Sequence, residues 1–247
     1  MNTIPTLPDA SLRRAGTKLV KTPLSEQAYE ELKGQILDQQ LTPGQRLNID
    51  ALSRSCGISS SPLREALARL VAEGLVVFTA NAGFTVAPVP DPVRMRQLME
   101  FRLVMEAYCV RVGAAAGDPA IVAALSKAIE DMAALRADGG LSYRHYRSFI
   151  ALEQRFHETL IASGNNPVIA EAWRNLHLII NVARLSVVPH SDSLGSDAAV
   201  LEHRAILDAY VRQDAEAAEH AIKDHLTQAI ARFSRTCLLY TSDAADE

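Results

Sequence analysis

Apolar residues recur along most of this chain at intervals of three and four, the spacing that lines one face of a helix. Ala28, Leu32, Ile36 and Leu37 predict a first helix over 24–37, with Ser25 available as its cap. LTPGQRL (41–47) then reads as a turn, since Pro43-Gly44 cannot continue a helix. A short helix fits Ile49 to Cys56 with Leu52 inward, and Gly57-Ile58 turns the chain into SSSPLREALARLVAEGL, residues 59–75. There Leu63, Ala66, Leu67, Leu70 and Val71 share a core face, while Ser60, Ser61, Arg64 and Ala68 share another. The serines before Pro62 offer a hydroxyl cap, and Gly74 ends the helix. Two short helices joined at a glycine, the second with a small polar entry, form a helix-turn-helix arrangement. Its outer face, Ser59, Ser60, Ser61 and Arg64, is small enough for close approach to a DNA groove and carries one guanidinium for a phosphate or guanine edge.

After Gly74 the period changes. LVVFT (75–79) and FTVAPV (84–89) are rich in β-branched and aromatic residues, and ANAG between them supplies a turn, so a hairpin is predicted. A hairpin directly after such a helix is a wing, which puts Asn81 and Gly83 within reach of a phosphate or minor groove. PVPDP (88–92) is the strongest domain boundary. Beyond it helices are predicted over 93–116, 119–137, 143–163, 167–187, 196–212 and 214–233, broken at Gly117-Asp118, Gly139-Gly140, 164–167, 189–195 and Gln213-Asp214. The expected fold is mainly α: an arm (1–23), a winged helix-turn-helix (24–89), a linker (90–92) and an all-α bundle (93–233). CLLYTSDAADE (237–247) breaks the helical pattern, resembles translated adapter sequence and is read as a non-native tail, with a natural disordered tail as the alternative.

Composition narrows the class. Of 247 residues 48% are hydrophobic and 5% aromatic, enough for sizeable helical cores. No uncharged apolar run is long enough to span a membrane and no secretion signal is visible, so a cytoplasmic protein is expected. Cys56, Cys109 and Cys237 form no CxxC pair and read as reduced thiols. The net charge of −4 divides unevenly: residues 1–90 hold 9 Lys and Arg against 8 Asp and Glu, the remainder 16 against 21. Arg13, Arg14, Lys18 and Lys21 meet no acid between Asp9 and Glu26; that arm suits a phosphate backbone, or is simply a solvated tail.

Glu153 and His157 stand four apart and leave one helix face together, and His203 and His225 belong to the last two helices. Imidazole and carboxylate suit a divalent metal, although an i,i+4 Glu/His pair also occurs as surface decoration.

Residues 24–89 resemble the winged helix-turn-helix of the GntR family of bacterial transcription regulators, through PGQRL (43–47), ALSRSCGISSSPLREALARLVAEGLV (51–76) and Gly83. Residues 93–233 resemble the FCD effector-binding domain of its FadR subfamily, through FRLVMEA (101–107), FHETLIASGNNP (156–167) and EHRAILDAYVRQDAEAAEHAIKDHL (202–226). The resemblance implies that Arg64 contacts DNA and that Gly83 is the wing-tip glycine; Ser60 departs from it where many relatives have arginine. It also implies a metal site of Glu153, His157, His203 and His225 holding zinc, nickel or manganese, with glutamate where aspartate is usual.

Arg102 corresponds to the family's pocket arginine, for bidentate capture of a small organic acid, or else pairs with Glu106 as scaffold. Glu106 and Asn181 complete the expected effector contacts, with Arg184 a further candidate, while His145, His177, His190 and His220 match no role. The implied function is a ligand-responsive repressor binding a double-stranded operator as a homodimer. A metal-dependent hydrolase fused to a DNA-binding module is the alternative, and a purely structural metal a third reading.

Overall fold

The computed structural model describes residues 22–137, 143–187 and 197–243. The basic arm, His190, the breaks at 139–140 and 189–195, and residues 244–247 lie outside the described residues. The elements are α1 (Leu24–Leu37), β1 (Arg46–Leu47), α2 (Ile49–Cys56), α3 (Ser60–Ala72), β2 (Val76–Thr79), β3 (Gly83–Val86), α4 (Pro92–Ala116), α5 (Pro119–Ala137), α6 (Tyr143–Ser163), α7 (Pro167–Val187), α8 (Asp197–Val211) and α9 (Ala215–Asp243).

Leu32 and Ile36 of α1 bury against Leu63, Ala66, Leu67 and Leu70 of α3, the face the spacing predicts. A polar clamp ties the same two helices. Arg69 pairs with Glu26 and lies 3.8 Å over the Tyr29 ring, whose hydroxyl donates to Glu73 at 2.6 Å. Asn48 caps α2 by accepting from Ala51 N–H at 3.0 Å, and Gly57 closes it at φ 66°.

The serine caps expected for α1 and α3 are not formed. Carbonyl bonds to Pro23 start α1, so Ser25 lies inside its first turn. Ser59 holds the extended cap geometry of α3 without a side-chain bond, because Pro62 at the third helical position has no N–H to give. The hairpin pairs Val76 with Val86 and Phe78 with Phe84. Asn81 and Gly83 both take positive φ at its turn, 66° and 83°. Part of the turn predicted at 41–47 is strand: β1 pairs Arg46 with Thr85, giving sheet order β1-β3-β2.

Asp91 caps α4 by accepting from Arg94 N–H at 2.7 Å, with Pro92 in the first helical position. Helix α4 packs against α6, α7, α8 and α9 around Trp173, Phe156, Leu160 and Tyr210. The last helix, expected to end at Phe233, runs through Asp243, since no Gly or Pro interrupts 234–243. The pattern break read at 237 is thus not a backbone break.

The bundle touches the winged helix along α6 and α7. Val182 is buried in the winged-helix core, Ser186 Oγ donates to Gln39 at 3.2 Å, and Arg147 pairs with Asp38. Gly74, at the end of α3, has φ 76°, and a Cβ there would sit 3.0 Å from Ile179 Cδ1 of α7. Gly74→Ala is therefore expected to destabilise the protein by about 1–2 kcal/mol in urea unfolding, from the left-handed backbone alone. The Ile179 contact adds a further loss that Ile179→Val should relieve; no relief would show that Ile179 is not an obstruction.

Candidate metal centre

Five helices of the bundle each send polar side chains into its interior. Glu153 and His157 leave α6 one turn apart, His203 comes from α8 and His225 from α9, and all four are buried. One donor atom from each lies within 4.8 Å of the others. The Nε2 atoms of His157 and His203 are each 3.3 Å from His225 Nε2. The implied metal fits this donor set: at metal–nitrogen distances near 2.0–2.1 Å, tetrahedral ligand edges are about 3.3 Å and octahedral edges about 2.9 Å.

The far sides of the rings explain their orientation. His157 Nδ1 lies 2.8 Å from Glu106 Oε2, and His225 Nδ1 lies 2.8 Å from Glu202 Oε2. An Nδ1–H donated to each carboxylate leaves the Nε2 lone pairs turned inward, toward the point shared with Glu153. Burial, then the neighbouring Arg102 charge, holds His157 well below the usual imidazole range; burial, with the crowding of the other two histidines, does the same to His203. Neutral rings are the ligating form. Burial raises the Glu153 carboxyl, but the Arg184 guanidinium and the histidines outweigh it and hold it well below the usual range. Glu202 is likewise held to about 2: burial raises it, and bonds from His225 and Arg232 prevail.

Arg102 is buried and forms the scaffold pair that the sequence allows. Its Nε donates to Glu106 Oε1 at 2.6 Å, whereas its Nη2 has no hydrogen-bond partner among the described residues. Glu106, expected to contact an effector, has its oxygens engaged by Arg102, Trp173 Nε1 (2.7 Å) and His157, so its work is to orient them. Asn181 Nδ2 donates to Gln154 at 2.9 Å and its Oδ1 has no partner among the described residues. Arg184 pairs with Glu153. Arg102, Glu153, Arg184 and Arg232 line a cavity of about 40 Å³ whose other walls include Met95, Met99, Ile180 and Phe233.

Two residues join the site that sequence reasoning passed over. His177 is buried, stacked on Trp173 with ring centroids 4.3 Å apart and 6.3 Å from the His157 ring, and both its nitrogens lack partners among the described residues. Its signal was the stripe Trp173, His177, Asn181, Arg184 along an otherwise apolar stretch of α7. Glu202 had no such signal, because its partners His225 and Arg232 are on another helix.

At the other end of the molecule Ser59, Ser60, Ser61 and Arg64 are exposed together on α3, and Asn81 is exposed at the wing tip with Gly83 beside it, partly covered.

Residues 24–86 match the bacterial regulatory proteins of the gntR family, and residues 97–228 match the FCD domain. The chain belongs to the GntR family. It is a DNA-binding transcriptional regulator of the GntR/FCD type and not an enzyme, so the hydrolase alternative is unsupported. Curated relatives of this GntR protein include the HTH-type transcriptional regulator YdhC of Bacillus subtilis, 25% identical over 83% of this chain and 88% of that protein. The HTH-type transcriptional repressor NanR of an Enterobacter is 27% identical over 87% of this chain and 86% of its own. Among solved structures, Escherichia coli McbR/YncC superposes with TM-score 0.71 over 87% of this chain and 99% of that one, at 22% identity, a likeness of fold. Among the described residues no helix is long and apolar enough to cross a membrane.

Proposed function

We propose that this GntR regulator is a cytoplasmic, homodimeric repressor whose bundle binds a small carboxylate through a divalent metal. The supporting observation is the buried convergence of three histidine Nε2 atoms and Glu153 beside a cavity on which Arg102 also borders, with its Nη2 unpartnered. A bound metal would act as a Lewis acid, polarising a carboxylate that binds it. Arg102 would take the same carboxylate by charge-assisted hydrogen bonds, while Glu106 and Glu202 hold His157 and His225 in place.

Coupling to DNA runs through α7. The side of α7 carrying Asn181 and Arg184 faces the site, and Ile179 and Val182 meet the winged helix at Gly74 and its core. An occupant that draws Arg184 away from Glu153 shifts α7 and with it the end of the recognition helix, a population shift between two relative placements. Support for the dimer comes from α4, where Val93, Phe101, Val104 and Tyr108 form an exposed apolar stripe opposite the buried face. Two copies meeting there would present two recognition helices to a near-palindromic operator. The relative NanR is a transcriptional repressor, which favours that sign of control.

A thermal-shift screen of organic and sugar acids with and without chelator tests the reading, because ligand stabilisation should vanish with the metal. Stabilisation indifferent to chelator would overturn it. On the DNA side, Arg64→Ala should weaken operator binding by about 1–3 kcal/mol in fluorescence anisotropy if the guanidinium grips a guanine edge. An unchanged affinity would move the contact to the wing.

A further inference from the structure

We propose that Arg184 is a tethered cation that competes with the metal for Glu153, so that a divalent metal alone, before any acid binds, loosens α7 from the winged helix. The inference rests on the metal reading above and extends it to the regulation of that site.

Glu153 is the anionic member of the four candidate ligands, and Arg184 pairs with it. Both are shielded: the Arg184 side chain is 12% exposed and that of Glu153 7%. A cation held by the nitrogens of His157, His203 and His225 would stand within bonding reach of the carboxylate that Arg184 grips. Two positive groups that close repel strongly where little water screens them, and the three imidazoles, when neutral, bring no charge to offset the repulsion. Arg184 also has a place to turn, because it borders the cavity of about 40 Å³ beside Glu153.

The position of Arg184 on α7 gives its release a consequence. It lies within the stretch that meets the winged helix. Leu178 and Val182 pack into the winged-helix core, Ile179 faces Gly74, Leu185 shares a cluster with Leu37 of α1, and Ser186 Oγ donates to Gln39 at 3.2 Å. Glu153 and Tyr146, the neighbours of Arg184 across the helix pair, belong to α6, whose Arg147 pairs with Asp38 just after α1. The Arg184–Glu153 pair thus ties α6 to α7 beside their shared contact with α1. Opening it frees α7 to move at Gly74, next to the end of the recognition helix.

The test titrates zinc, nickel and manganese separately into the full chain by calorimetry, with no organic acid present, at pH 8 so that protons compete little for the ligands. Arg184→Gln and Arg184→Lys are titrated beside the unaltered protein, and hydrogen exchange of each is followed with and without metal. A competing and a supporting arginine predict opposite signs. Removing a competitor should tighten metal binding, by about tenfold for Arg184→Gln and by less for Arg184→Lys, which keeps a charge without the planar fork. Removing a support that orients Glu153 would instead weaken it by about 10–100-fold. In the unaltered chain, metal alone should speed exchange by about fivefold or more over residues 36–41 and 178–186, the low end of ordinary coupling between sites. Arg184→Gln should show the faster exchange already without metal and change little on adding it. Unchanged or weaker metal binding by Arg184→Gln overturns the competition. Exchange unmoved by metal in the unaltered chain overturns the link to the winged helix, and leaves the metal-and-carboxylate reading standing if acids still bind in a chelator-sensitive way. Failure of all three metals to bind the unaltered chain overturns both readings. Should Arg184→Gln not fold, Arg184→Lys decides by the same signs.

Discussion

Glu106→Ala is expected to destabilise the helical bundle by about 3–5 kcal/mol, because it leaves the Arg102 charge buried without its partner. Arg102 is 2% exposed and Glu106 fully buried, so water cannot replace the lost carboxylate. Trp173 Nε1 and His157 Nδ1 lose their acceptor in the same stroke, and an unsatisfied buried donor costs about 1–3 kcal/mol. Such contributions within one network are not additive, so the larger figure stands for the whole. Metal affinity should fall by about 10–100-fold besides, the usual consequence of removing a carboxylate behind a ligating histidine. Urea unfolding and metal titration measure the two effects separately. A stability loss under about 1 kcal/mol would mean that Arg102 finds another partner or reaches solvent.

What the sequence made legible was whatever lies on a single helix. The spacing predicted α1, α5, α6 and α7 with the bounds they have, since their apolar stripes are long and Pro or Gly lies near most of their ends. The Glu153/His157 pair was visible for the same reason, being one turn apart on α6. The wing was legible from its change of period, but β1 was not, because two residues cannot display an alternation. Helix ends were misjudged where a neighbour decided the outcome: Pro62 removes the donor that Ser59 would cap, and α9 continues in the absence of any breaker.

In the site, the sequence joined the four candidate ligands into one set only through family resemblance, since His203 and His225 come from separate helices. The residues that orient them were harder still. Glu106 was taken for an effector contact, although its position between Arg102, Trp173 and His157 depends on packing of α4 against α6 and α7. His177 was set aside because it matches no role in the family; its burial beside His157 appears only once α7 is laid against α6.

His157→Ala should abolish the stabilisation that a divalent metal confers on this protein, and the size of that stabilisation follows from linkage. A metal present at 100 times its dissociation constant stabilises the folded chain by about 2.7 kcal/mol. For a chain of this length that is roughly 5–10 °C in melting temperature. Removing His157 takes away one of three converging nitrogens and also unpairs Glu106 Oε2, so the variant should melt at one temperature with and without metal.

The metal-free protein should in addition weaken in acid. His157, His177 and His203 are held below the ordinary imidazole pKa by burial, so the unfolded chain takes up protons that the folded chain refuses. Stability is therefore complete above about pH 6.5 and falls as pH drops below it, by about 1.4 kcal/mol per pH unit for each histidine that stays neutral. The alanine variant should show a shallower acid slope than the unaltered chain. Equal slopes, together with a metal-dependent melting shift that survives the substitution, would remove His157 from the centre altogether.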